Sequence, residues 1–239
     1  MEHIEGKSQS NPSANRRDPR LYHIASLGTL LAYGLFWLHF DLSLWQIAVT
    51  IGTALLTQYA GTRYAKLPCF DPKSALISSL SLCILLRTDH LAIAALASVV
   101  AIGSKFVFRW NDKHLFNPTN LALAIALASG MGWISPGQWG QVAWFGFLIA
   151  CLGSLVVTRA ARADVTFAFL AVHVSLLFAR ALWLGDPLTI PFHQIESGAL
   201  LIFAFFMISD PKTTPDSRIG RIIFALCVTL AALYVQFGL

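Results

Sequence analysis

Long apolar runs alternate with short charged connections along nearly the whole chain, and no other feature constrains its fold as strongly. The runs cover 21–40, 43–60, 74–86, 90–107, 119–134, 139–158, 163–184, 196–208 and 219–237. A helix needs about 20 residues to cross a hydrocarbon core of about 30 Å, and most of the runs meet or approach that length. Charged residues make up only 12% of the 239, half of the about 25% usual in soluble domains. The sequence therefore predicts an all-α, polytopic transmembrane helix bundle with about nine crossings and the lipid bilayer as its main partner.

The charges decide whether the short third and eighth runs count as crossings. Thirteen residues at about 1.5 Å each reach only about 20 Å. If all nine runs cross and the N-terminus is cytoplasmic, Lys7, Arg16, Arg17, Arg20, Arg63, Lys66, Lys73, Lys105, Arg109 and Lys113 fall inside. Arg159, Arg162, Lys212, Arg218 and Arg221 join them, so that 15 of the 17 Lys and Arg residues are cytoplasmic. Only Arg87 and Arg180 remain outside. A re-entrant third run would move every later connection up to run eight to the other side, and the positive-inside bias would vanish. Nine crossings, N-terminus in and C-terminus out, is the expected topology. The same bias accounts for the net charge of +5, so no nucleic-acid partner is expected.

Residues 1–20 are polar, rich in Pro, Asn and Ser, and end in an Arg cluster, which reads as a disordered cytoplasmic tail. The first run reads as a retained signal-anchor, and 21–239 as one transmembrane domain. Cys69, Cys83, Cys151 and Cys227 show no C-x-x-C spacing and suggest neither a disulfide framework nor a metal site. A bis-histidine haem needs paired ligands at similar depth on facing helices. His23 and His114 could pair only if runs one and five were adjacent, and His173 reads as a hydrogen-bonded structural residue. No phosphate loop, dinucleotide fingerprint, nucleophile elbow or metal-ligand cluster is present.

Two tracts share a plan: "DPKSALISSLSLCILLRTD" (71–89) and "ESGALLIFAFFMISDPKTTP" (196–215). In each, a Ser and small residues open a short apolar helix that ends in a hydroxyl–Asp pair. Five crossings separate them, so their orientations are opposite. Repeat one would cover about 21–107, an extra helix about 119–134, and repeat two about 139–237. Short helices at matching positions of inverted repeats point to a binding site near the midplane. The candidate contacts are Ser197, Gly198, Ser209, Asp210, Pro211, Thr213 and Thr214, with Asn117, Pro118 and Thr119 from "KHLFNPTNLAL". Ser197-Gly198 would offer free N–H groups to an oxygen; as a bland alternative, Ser197 and Asn117 are helix caps. Arg87, Thr88 and Asp89 form a second candidate, an ion or polar path, because ionisable residues at membrane depth are functional by default.

The tract "SGALLIFAFFMISDPKTTPDSRIGRIIFAL" (197–226) resembles the signature near the end of the RnfD/NqrB family of membrane subunits. "KHLFNPTNLAL" and "DPKSALISSLSLCILLRTD" are similar to the family's Asn-Pro segment and its earlier short helix. The resemblance implies a urea-transporter-like bundle of two inverted repeats in the bacterial inner membrane. It further implies a place beside other electron-transfer subunits of a membrane oxidoreductase complex, with coupling to Na⁺ or H⁺ in some members. The cofactor it implies is a flavin, FMN or riboflavin, held by the contacts named above. The family's covalent FMN motif, Asp-x-x-Ser/Thr-x-Ala-Thr, is absent, and Leu200 stands where the late Ser-Gly-Ala tract has Thr. A non-covalent flavin is therefore expected. The alternative is a transporter or channel for a small, possibly flavin-like solute on the same inverted repeat.

Overall fold

The computed structural model describes residues 18–110, 113–134 and 143–238. All nine apolar runs carry a helix. They are α1 (Pro19–Phe36), α2 (Leu44–Tyr64), α3 (Pro72–Leu85), α4 (Leu91–Val107), α5 (Pro118–Ala128), α6 (Ala143–Arg159), α7 (Ala163–Leu184), α9 (Gly198–Ile202) and α10 (Arg218–Gly238). A short additional helix, α8 (Thr189–Ile195), precedes run eight, and α9 continues as a π-helix over Phe203–Met207. Between α4 and α5, Arg109–Trp110 (β1) and Lys113–His114 (β2) pair antiparallel, where the sequence suggested only a connection. Of the expected tail, residues 1–17 lie outside the described residues, as do 139–142 of run six. Pro19 and Arg20 already belong to α1.

Local chemistry sets the helix ends. Three helices start alike, with an Asp or Asn before a Pro at the first position: Asp18-Pro19, Asp71-Pro72 and Asn117-Pro118. In each, the side chain accepts a backbone N–H that the first turn would leave orphaned. At the other end, α5 stops at Ala128, six residues short of the run. Gly130 has φ +68°, and Met131 N donates to Ala126 O, a Schellman closure that directs the chain out of the helix. Residues beyond it become extended, and Trp133 forms an antiparallel bridge with Arg87.

Packing pairs α1 with α3, α2 with α3 and α4, α4 with α5, α6 with α9 and its π-helical continuation, and α7 with α10. α2 buries Gln46, Thr50, Ala54, Gln58 and Thr62, one face at a spacing of four, while Leu44, Trp45, Leu56 and Tyr59 are exposed. A polar interior face with an apolar outer face is the reverse of a soluble helix. α6 approaches the π-helix closely at Gly153, where a Cβ would stand 2.5 Å from Phe205 Cβ.

Ion pairs gather several connections at one end of the bundle. Lys73 Nζ lies 2.8 Å from Asp18, Arg20 pairs with Asp71, Lys113 Nζ lies 2.6 Å from Asp216, and Arg221 lies 2.6 Å from Asp164. The opposite helix ends carry Trp37, Trp45, Trp144 and Trp183, each 74–88% exposed, as interfacial aromatic belts do. The architecture is mostly helical and consistent with a helical membrane protein. By length and composition, α7 and α10 are long and apolar enough to cross a membrane among the described residues. α8 with α9 and its continuation, bent by 50°, makes a third span if counted as one.

Candidate functional site

A cavity of about 560 Å³ opens at the charged end of the bundle, within the range of about 300–1,000 Å³ usual for ligand sites. α3 lines it with Ser74, Ser78 and Ser81, a hydroxyl stripe at helical spacing. α2 adds Gln58 and Thr62, α1 adds Arg20 and His23, and Lys105 enters from the end of α4. The remaining wall brings the Asn117–Thr119 segment face to face with Phe206, Met207 and the Ser209–Lys212 turn.

The β1–β2 hairpin and the start of α5 clamp that turn. His114 N donates to Lys212 O at 3.0 Å, and Lys113 Nζ donates to Thr214 O at 2.8 Å. Asn117 Oδ1 caps α5 by accepting from Asn120 N at 3.2 Å, while its Nδ2 donates to Met207 O at 3.3 Å. One side chain thus starts a helix and ties it to the π-helix. A π-helix shifts carbonyls out of the regular ladder, and side chains meet some of them here. Thr166 Oγ1 donates to Ala204 O at 2.7 Å, and Ser209 Oγ donates to Phe205 O at 2.8 Å.

Asp210 shapes the turn. Its Oδ1 accepts from Lys212 N at 2.9 Å, and its carbonyl accepts from the hydroxyls of Thr213 and Thr214. Burial raises its carboxyl above the ordinary carboxylate range. His114 is pushed down to about 4, by burial first and then by the nearby charges of Lys105, Arg109 and Lys212. Among the described residues, three buried atoms on the cavity wall have no hydrogen-bond partner: His23 Nε2, Gln58 Oε1 and His114 Nδ1. A buried polar group left unsatisfied is costly, so these atoms suit a ligand or water.

Of the residues picked from sequence, Asn117, Pro118, Thr119, Ser209, Asp210 and Pro211 share this cavity. Ser197 does not. It lines a second cavity of about 540 Å³ with Phe169, His173, His193, Leu200 and Phe203. It is the N-cap residue of α9 but makes no side-chain capping bond, and Gly198 follows it as the first residue of that helix. Thr213 and Thr214 turn back onto the Asp210 carbonyl, Thr214 being fully buried. Arg87 is buried at the far end of α3, where Nη1 donates to the Cys83 and Leu86 carbonyls, both at 3.0 Å. It caps α3, and its guanidinium lies 5.1 Å from the Phe40 ring centroid. Thr88 Oγ1 accepts from His90 N at 3.3 Å just before α4, and Asp89 is exposed. Neither reaches either cavity. His173 stacks on Phe169 with centroids 5.3 Å apart, and its Nδ1 has no partner among the described residues. His23 and His114 do come to one cavity, and no metal-ligating cluster of three occurs among the described residues.

Sequence reasoning passed over Lys105 and Gln58. The available signal was a charged and an amide side chain near the ends of otherwise apolar runs, where depth makes polarity expensive. Without the packing of α2 and α4 around α3, nothing pointed either residue at the Ser-Asp-Pro turn.

Residues 130–237 match the model of the NQR2, RnfD, RnfE family. The RnfD subunit of the ion-translocating oxidoreductase complex of Escherichia coli (strain SMS-3-5 / SECEC) is 35% identical over 116 residues, 47% of this chain and 30% of that protein. The proteins of the same name from Salmonella paratyphi B (strain ATCC BAA-1250 / SPB7) and Salmonella newport (strain SL254) are each 34% identical over 116 residues. In both cases the match covers 46% of this chain and 29% of the relative. The match therefore spans under a third of the length of these curated relatives. The family model's span, 130–237, contains the tract 197–226 that resembles the family's signature.

Proposed function

We propose that this protein is a membrane subunit of an electron-transfer complex of the RnfD type, and that its cavity holds a flavin without a covalent bond. The observation that carries this reading is the convergence of Asn117-Pro118-Thr119 with Ser209-Asp210-Pro211 around a cavity lined by three partnerless buried polar atoms. The donor set fits the group. Phe206 and Met207 offer apolar contact to a flat ring; Gln58 and His23 offer hydrogen bonds to its polar edge, and the Ser78 and Ser81 oxygens, whose hydroxyls donate to the Ser74 and Ile77 carbonyls, can accept from it. A bound flavin would supply one- and two-electron transfer; the chain's part is to orient it, exclude water and set its environment.

No step toward covalent attachment is proposed. Leu200 offers no hydroxyl, and the Thr213 and Thr214 hydroxyls are engaged by the Asp210 carbonyl. Nine crossings, two inverted repeats and a cytoplasmic N-terminus belong to the same proposal. The packing order supports the repeat: α1 with α3 and α2 with α4 correspond to α6 with α9 and α7 with α10. The ion pairs that gather alternate connections at one end support the topology. Other subunits of the complex would bring and take electrons, with coupling to Na⁺ or H⁺ movement.

The test is the visible spectrum of the full chain purified in mild detergent. A flavin spectrum that survives washing, is released on denaturation and bleaches with reductant is expected. A colourless, folded preparation that moves solute into liposomes would overturn the reading in favour of a transporter.

A further inference from the structure

We infer that the second cavity is a water-filled vestibule open to the outer face, and that His173 at its deep end accepts a proton delivered through it. This rests on the electron-transfer reading and deepens it, naming the proton as the coupling ion.

His173 is the first observation. It stands halfway along α7 and is only 6% exposed, and its Nδ1 has no hydrogen-bond partner among the described residues. A buried nitrogen left unpaired is costly, and ionisable side chains at membrane depth mark ion or proton routes. The second observation is the cavity that His173 lines, about 540 Å³ in volume. Its wall also holds Ser197, with His193 and Gln194 from α8 and Gln236 from the last turn of α10. Those last three belong to the end of the bundle opposite the ion pairs, and His193 and Gln236 are exposed there. Hydroxyl and amide groups between an exposed rim and a buried imidazole are the partners that ordered water needs.

The inverted repeat supports the sidedness. Ser74, near the start of α3, lines the charged-end cavity, and Ser197, just before α9, lines this one. Matching places in repeats of opposite orientation open to opposite faces. The lining also favours a proton over a metal cation. No Asp or Glu lines the cavity among the described residues, so a metal cation would lack a counter-charge, whereas a neutral imidazole takes up a proton on nitrogen. The two cavities share one wall: Phe203 lines this one, and Phe206 and Met207, a turn further along the π-helix, line the other. An electron arriving in the charged-end cavity would therefore favour the protonated His173 through a medium of low dielectric. No electron moves to His173 itself.

The other titratable groups around α7 are engaged or lie apart. His193 Nδ1 lies 3.5 Å from Glu196 at the rim, and Arg180 lies 3.6 Å from Asp186. Cys227 and Tyr234 of α10 and Cys151 of α6 are exposed. Asp164 pairs with Arg221 at the charged end, where Arg159 and Arg218 also stand.

The vestibule is tested by thiol labelling in the full chain with Cys69, Cys83, Cys151 and Cys227 replaced by Ala, a background checked by thermal unfolding. A membrane-impermeant methanethiosulfonate added to the outer side of spheroplasts should modify Gln236→Cys, Ser197→Cys and His173→Cys. Leu230→Cys, whose position is 59% exposed on the outer surface of α10, should stay unmodified. Labelling of Gln236→Cys without His173→Cys, or labelling only from the inner side, overturns the vestibule. The proton is tested in the full chain with its native cysteines, purified in mild detergent, by the pH profile of the bound flavin's midpoint potential. A break between about pH 5 and 8 is expected, lost in His173→Gln and kept in His193→Gln. A break that survives in His173→Gln belongs to another group, such as His23 or His114, and overturns the proton assignment, as does a profile with no break in the unaltered protein. A chain that binds no flavin overturns the flavin reading and the proton assignment with it, while labelling still decides the vestibule.

Discussion

Replacing Asn117 separates two tasks that one side chain performs. Asn117→Ser keeps an oxygen able to cap α5 but removes the amide that reaches the Met207 carbonyl 3.3 Å away. Asn117→Ala removes both. Loss of an N-cap costs about 1 kcal/mol. The Met207 carbonyl also accepts from Asp210 N at 3.3 Å, so it is not left bare, and its loss falls at the low end of the penalty, about 1 kcal/mol. The Ser variant should therefore lose about 1 kcal/mol and the Ala variant about 2 kcal/mol. At about 2–4 °C per kcal/mol for a chain of this size, thermal unfolding in mild detergent should shift down by about 2–4 °C and 4–8 °C respectively. Retained flavin should fall in the same order, since both halves of the bond form the cavity wall. A Ser variant as stable as the unaltered protein would refute the inter-helix bond. Equal losses in the two variants would refute the cap.

Gly153→Ala places a methyl 2.5 Å from Phe205 Cβ; such overpacking should destabilise by about 1–3 kcal/mol, read as a lower unfolding temperature, and unchanged stability would mean that α6 and the π-helix separate freely. Arg87→Met leaves the Cys83 and Leu86 carbonyls without their donor, so it should lower stability while leaving the visible spectrum of retained flavin intact; loss of flavin with full stability would return Arg87 to the site. Asp210→Asn keeps an acceptor for Lys212 N and should retain bound flavin, whereas Asp210→Ala should lose it; equal retention in both would remove the turn from the site. The bonds from Arg20 and then Lys73 hold the Asp18 carboxyl well below the usual carboxylate range. Its contribution to stability is complete above about pH 4 and declines as pH falls further, so Asp18→Asn should be less stable than the unaltered protein near neutrality and approach it in acid. A gap that stays constant as the pH falls below about 4 would refute the assignment.

Element existence was readable from the sequence because membrane helices announce themselves by apolar length, and each of the nine runs carries a helix. Helix ends were less readable. Run five stays apolar through Ile134, but Gly130 closes α5 early, and Trp133, five residues after Ala128, bridges Arg87 instead. Composition cannot register that difference, since extended and helical backbone are equally apolar. The π-helix was likewise invisible in "FAFFM", because it depends on Gly153 admitting Phe205 and on Thr166 reaching the Ala204 carbonyl from α7.

For the site, the sequence alone determined which short polar tracts could not be ordinary loops: Asn117-Pro118-Thr119 and Ser209-Asp210-Pro211 interrupt apolar runs, and their chemistry is local. Tertiary structure decided which of them meet. It joined those two tracts across the hairpin, sent Ser197 to a separate cavity, turned Thr213 and Thr214 onto a carbonyl and brought in Lys105 and Gln58. The reason is that capping and turn chemistry act within a few residues of chain. Which face of a helix looks into a cavity is set by packing between helices far apart in sequence.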